Sequence, residues 1–272
     1  MRHVRWIGAI RVALAVALGL AALPRLAFPQ DLLRYLDLKS DDFTKADLTR
    51  AEVEAAVSAA GPHGTADLSA RRLNGVDLSG LDLRRTRLQS ARLNRANLAG
   101  ARLDGVNLDQ VWAIDANLTG ASLRGASLFA SQLIGARLDG ADLTGARITA
   151  DLSRASLKGA KLDGADLSAD MRNQSMGLMR GVLRSARLDG ASLVGANLSR
   201  AVLEFASLRD AELNGTNLAG SEMAGADLQG ANVAGADFAN ADVASTRLLH
   251  LRGRDAALNL TRAKNLDRAF TD

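Results

Sequence analysis

The stretch Ala116–Gly145 reads ANLTG ASLRG ASLFA SQLIG ARLDG ADLTG, and it decides the fold. It counts in fives: a small residue, a polar residue, a large apolar residue, then two more positions of which the second is often Gly. Working outward, the same beat appears at Ala66-Asp67-Leu68, Ala96-Asn97-Leu98, Ala165-Asp166-Leu167 and Ala226-Asp227-Leu228. A large apolar residue recurs at every fifth position from Leu68 to Ile148, except where Val111 and Ala113 invert the small-then-large order. The frame slips by one residue to give Leu152, Leu157, Leu162 and Leu167, then returns at Leu183 and holds to Leu248. A direct count gives 35 in-frame units. Self-similarity on that scale outweighs every other signal in the chain.

A period of five suits neither a helix at 3.6 nor a strand continued at 2. It suits short extended pieces joined by turns. Alternation then points Ala66 and Leu68 inward and Asp67 and Ser69 outward, with the fifth position as a corner where Gly accepts a positive φ. Four pieces make a square coil of about twenty residues, and coils stacked at about 4.8 Å pair their backbones in parallel ladders. The count predicts about nine coils and a rod roughly 40 Å long.

The repeated A(D/N)L pattern resembles the pentapeptide-repeat family over about two-thirds of the chain. The resemblance implies an all-β solenoid, a right-handed quadrilateral parallel β-helix. It implies little about function, because proteins doing different things share this fold. The family also includes end-to-end dimers and topoisomerase-protecting DNA mimics.

The flanks read differently. Residues 1–27 have the form of an export signal, with Arg2, Arg5 and Arg11 before the apolar run Val12–Leu23. Ala22 and Ala27 both mark poor cleavage sites, so residues 7–23 kept as an inner-membrane anchor are the rival reading. Export predicts a periplasmic or secreted bacterial protein. Residues 28–64 read as a capping segment with a helix at about 49–60. Thr49-Arg50-Ala51-Glu52 has the form of a capping box, Val53, Ala56, Val57 and Ala60 follow at helical spacing, and Gly61-Pro62 stops the run. A stacked ladder needs such a cover, since its open end exposes apolar core and unpaired strand groups. The ladder occupies 65–248, with a loop at 168–180 where the frame fails. Residues 249–272 read as a C-terminal cap, with Leu249, Leu251, Leu258, Leu260, Leu266 and Phe270 able to close the end or form a homodimer contact.

Charge and composition exclude several functions. The chain carries 34 basic and 30 acidic residues. Arg2, Arg5, Arg11 and Arg25 stand in the first thirty residues, which hold no acid, so the remainder is balanced and gives no support to nucleic-acid binding. An acidic DNA mimic guarding a type II topoisomerase, the alternative function, is disfavoured by the same balance and by the leader. With no Cys there is no disulfide or thiolate chemistry. His3, His63 and His250 lie outside the repeat and form no cluster. No phosphate loop, nucleophile motif or metal spacing occurs, so neither an enzyme nor a cofactor nor a small-molecule substrate is expected.

Departures from the pattern mark the candidate contacts. Stacking at twenty residues puts Arg72, Arg92 and Trp112 in one outward column and Ile114 and Ile134 in the next, with Phe129 across a corner. That face is predicted either to bind a protein partner or to be covered by the chain's own termini. Arg92 is expected to stack on Trp112. The loop supplies a second candidate through Met171, Met176 and Met179, which are adaptable contact residues. The partner itself cannot be read from the sequence, and a membrane enters only if the leader is retained. The arginine-rich start of the ladder, Arg71 to Arg102, reads as a solvated face or as a dock for an acidic partner or anionic lipid.

Overall fold

A computed structural model describes residues 36–171 and 179–272. The leader and Met176 lie outside the described residues. Parallel backbone pairing runs Arg72, Arg92, Trp112, Gln132, Asp151, Val182, Val202, Glu222, Asp242, Lys264 along one side of the stack. The step is twenty residues, except for nineteen between Gln132 and Asp151, thirty-one between Asp151 and Val182 and twenty-two between Asp242 and Lys264. The frame slip and the 168–180 insertion are thus absorbed without breaking the column. Each side is so short that most rungs are single bridges. Among the described residues, only β1 (Ala66–Asp67) with β2 (Thr86–Arg87), and β3 (Arg247–Leu248) with β4 (Phe270–Thr271), extend to two residues.

One unit shows how the repeat uses its backbone N–H groups. Asn97 donates back to Val76 O at 2.9 Å, while Leu98 donates onward to Asn117 O at 2.6 Å. Gly100 donates to Thr119 O at 2.9 Å, and Ala101 closes the corner on Leu98 O at 3.0 Å. That leaves the N–H after the leucine, at Ala99. The Asn97 side chain takes it, through Oδ1 at 3.3 Å. The same clip joins Ser69 to Asp67, Thr144 to Asp142, Ser168 to Asp166 and Gln229 to Asp227. The recurring Asp or Asn is therefore an acceptor for the one amide the ladder leaves over.

The corners require a positive φ at the third turn position. Gly100 holds it at 64°, but Arg95, Ala130 and Phe205 hold it too, at 56°, 57° and 57°. An L-residue there costs on the order of 1–2 kcal/mol, which the ladder on both sides enforces. Inside, the leucines are fully enclosed and the alanines leave them room. Each enclosed leucine contributes about 1.5–3 kcal/mol. At Ser131 and Thr216 the hydroxyl of the small position turns back to the wall: Ser131 Oγ donates to Leu108 O at 2.6 Å and Thr216 Oγ1 to Leu193 O at 2.7 Å. Val111 and Ala113 are both buried, so the inverted unit keeps the interior filled.

The two ends are closed by different means. At the start, α1 (Asp41–Thr44) leads through Ala46, which pairs antiparallel with Leu73, to α2 (Arg50–Ala59). Thr49 accepts from Glu52 N–H while Glu52 accepts from Thr49 N–H at 2.7 Å, a complete capping box. Val53 is fully buried in the leucine core, and Leu48, Ala56 and Val57 pack beside it. Arg50 donates to Asp77 O and Ser79 O, both at 3.2 Å, pinning the lid to the first coil.

At the far end the five-beat stops but the winding does not. Arg252, Leu258, Lys264 and Phe270 pair in parallel with Asn232, Asp237, Asp242 and Arg247. Sides of six residues replace sides of five. The added residue folds each corner into a 3-10 turn, at Arg254–Ala256, Leu260–Arg262 and Leu266–Arg268. Leu260 is buried, whereas Leu258 and Phe270 face solvent. The C-terminal segment is a further coil of longer period.

Candidate partner-binding surfaces

The column of Arg72, Arg92 and Trp112 is built as expected from the register, but it is not free. α1 and the segment that follows it lie along the column. Phe43, only 7% exposed, meets Trp112 edge-to-face with ring centroids 5.2 Å apart. The Arg92 guanidinium stacks on Phe43, 4.7 Å from its centroid, where the sequence predicted Trp112. Phe43 takes that place because it reaches the wall from outside, where the cation is aimed. Arg72 is bound to Asp47 at 2.6 Å and to Asp42 at 3.4 Å, and Asp42 approaches Arg92 at 3.8 Å. Asn74 Nδ2 donates to Asp42 O and Lys45 O at 3.0 and 2.8 Å. The Arg72 side chain and its backbone N–H hold the Asp47 carboxyl below the usual carboxylate range.

The remaining residues of that predicted cluster separate. Ile114 is half-buried, with its N–H donated to Asn94 Oδ1 at 3.0 Å. Ile134 is buried, so no exposed Trp–Ile–Ile patch forms. Phe129 lies under Arg147, 5.1 Å from guanidinium to centroid, and Arg147 reaches Asp170 at 3.3 Å. It therefore belongs with the base of the loop.

That base is the second candidate. Asp170 N–H donates to Met179 O at 2.7 Å, closing the neck of the loop, and Met171 stands 45% exposed. Arg180 grips Glu222 through two bonds of 2.8 and 3.3 Å. An open groove of about 400 Å³ continues from Arg180 along the same edge to Lys264. Sequence reading found the loop but not the groove, which needs residues forty and eighty positions apart to share one edge.

The arginine-rich start is largely engaged in the fold. Arg84 holds Asp82 and lowers its carboxyl to about 2, with Arg102 assisting at 3.5 Å. Arg85 donates to Gly61 O at 2.6 Å, at the end of α2. Among the described residues no group of His, Asp or Glu could hold a metal ion, and no helix is long and apolar enough to cross a membrane.

A winding of five-residue sides with a leucine core defines a class, and comparison with known proteins agrees. The profile of pentapeptide repeats matches in eight copies, over residues 66–110, 114–149, 150–169, 182–220 and 206–243. The chain belongs to the pentapeptide repeat family. Among solved structures it is similar to HetL of the cyanobacterium Nostoc sp. strain PCC 7120, a pentapeptide repeat protein involved in heterocyst differentiation regulation. That similarity is 27% identity over 82% of this chain and 94% of HetL, with a TM-score of 0.44. QnrB1, a plasmid-mediated fluoroquinolone resistance protein, is 19% identical over 72% of this chain and 91% of its own, with a TM-score of 0.38. A thylakoid-lumen pentapeptide repeat protein of Arabidopsis thaliana is 27% identical over 48% of this chain and 71% of its own, with a TM-score of 0.26. No curated protein sequence matches the chain.

Proposed function

We propose that this chain is a non-catalytic, exported scaffold, a right-handed four-sided rod of about nine coils that binds a protein partner at the base of its 168–180 loop. The observation that carries the reading is the contrast between its two candidate surfaces. Phe43 fills the Trp112 face from within the chain, whereas Met171 stands out from a neck closed by the Asp170–Met179 bond. A rigid ladder bearing an exposed, adaptable side chain at the base of a loop suits recognition. Membership of the pentapeptide repeat family supports a scaffold role. The balanced charge beyond the first thirty residues weighs against mimicry of DNA.

The form of residues 1–27 supports a rod in the periplasm or outside the cell, with retention of residues 7–23 as an anchor the alternative. Fractionation with mass analysis of the mature N-terminus checks this, and a cytoplasmic, full-length product would sink it. The partner surface is tested by a photo-crosslinking residue placed at Met171 or at Ile114 in the full chain. A discrete protein adduct is expected at Met171 and none at Ile114. Adducts at neither position would refute the loop-base assignment.

A further inference from the structure

We infer that the groove from Arg180 to Lys264 is a docking track for an extended acidic segment of a protein partner. The inference rests on the scaffold reading above and names the chemistry of what the scaffold holds. The groove begins where the loop ends and finishes at the widened last coil, so it spans the two departures from the five-residue beat. Its floor exists because the corner between Arg200 and Asn240 is Gly220, with Ala219 beside it and Ala239 on the next coil. A Cβ added to Gly220 would meet Arg200 Cγ at 3.5 Å, so the arginine stem leans across the vacant corner.

The charges along the track form a pattern. Arg180 is fixed by Glu222 and by its bond to Arg200 O at 3.2 Å, and its side chain is only 13% exposed. Glu222 is thereby committed. Asp242, one rung further on the same column, accepts from Ala244 N–H at 3.0 Å and from Asn265 Nδ2 at 2.8 Å. Among the described residues the Arg200 side chain meets only a weak acceptor, Met171 Sδ at 3.6 Å. Lys264 has no side-chain hydrogen bond or ion pair among the described residues. The track thus presents Arg200 and Lys264 three rungs apart, with the Arg180–Glu222 ion pair between them.

Spacing converts that pattern into a ligand. The rungs of Arg200 and Lys264 are three apart, about 14 Å at a rung spacing of about 4.8 Å. An extended chain rises about 3.3 Å per residue and covers this in about four. Side chains separated by an even number point the same way, so two carboxylates four positions apart in an extended segment both face the rod. The residues between them carry no charge, because the Arg180 and Glu222 beneath them are already paired to each other.

The test is fluorescence anisotropy with the full chain and a labelled peptide Glu-Thr-Ser-Thr-Glu, its lysine-ended counterpart Lys-Thr-Ser-Thr-Lys, and inorganic pyrophosphate as competitor. Saturable binding of the acidic peptide, weakened by salt, is expected, with no binding of the lysine peptide. The double variant Arg200→Ala with Lys264→Ala should weaken it about tenfold, Glu222→Gln should strengthen it, and Arg124→Ala on another wall should change nothing. These are surface substitutions, and circular dichroism confirms that each variant folds. No binding of the acidic peptide up to millimolar concentration overturns the inference, as does equal binding of the lysine peptide. Insensitivity to the double variant, or pyrophosphate binding at these residues without peptide binding, overturns it too. Crosslinking at Met171 tests the scaffold reading independently of these charges.

Discussion

The two ends of the rod solve one problem in opposite ways. At the start, the chain abandons the winding and lays a helix over the core, with Val53 plugging the leucine column. At the finish it keeps winding and lengthens each side by a residue. The difference follows from which backbone groups a parallel stack leaves over. The first coil has N–H groups with no coil below, and at Arg72 a carboxylate meets one: Asp47 Oδ2 accepts from Arg72 N at 3.0 Å while Asp47 N donates to Arg72 O. The last coil has nothing above to pair with. Its sixth residues turn that demand inward, through local bonds such as Arg262 N to Asn259 O at 2.9 Å and Ala263 N to Leu260 O at 3.1 Å. Asn259 and Asn265 then tie the widened coil to Asp237 and Asp242 below. A lid must be brought to one end; the other closes on itself.

The comparison is broken most sharply by placing a carboxylate in each plug. Val53→Asp buries a charge in the leucine column and should cost about 4 kcal/mol or prevent folding. Leu260→Asp, nearer solvent, should cost about half as much. Thermal unfolding of both variants decides, and equal losses would mean that the helix is not the tighter closure. Next in size is Phe43→Ala, expected to cost about 3 kcal/mol locally and to expose Trp112. A red shift of Trp112 emission in a Trp6→Phe background reports it, and an unchanged spectrum would show that Phe43 does not seal that face.

Two smaller effects probe the wall itself. Asn117→Ala removes the acceptor for Thr119 N–H and should cost about 1 kcal/mol by denaturant unfolding. Ser221→Ala should gain a similar amount, because Ser221 Oγ is buried without a partner among the described residues. The smallest effect is electrostatic. Asp82 titrates in the folded rod at about 2, below its ordinary 3.8. Its contribution is therefore complete above 3.8 and fades as the pH falls through about 2. Carboxyl chemical shifts followed through that window check it, and Arg84→Ala should return the midpoint toward the ordinary value.

Particular residues show what could be read in advance. The leucine beat, the one-residue slip before Leu152 and the Thr49–Glu52 capping box are local, and local geometry expresses each directly. The Asp and Asn of the repeat were visible as a pattern, but their purpose was not. Recognising it requires knowing which N–H the corner leaves unpaired. The six-residue beat of Ala257–Arg262 and Ala263–Arg268 is present in the letters but out of step with the five-residue period before it. Phe43 on Trp112 had no signal, since a lone aromatic in a short helix carries no address.

The sequence by itself determined the coil, because a period of five repeated through the chain admits only a winding that buries every fifth residue. It also determined where that winding would be disturbed. Only the tertiary structure decided which outward faces stay open, since that depends on chain segments brought together from far apart. The covering of Trp112 by Phe43 and the groove between Arg180 and Lys264 are both of this kind: each joins residues that share no local pattern and meet only when coils stack.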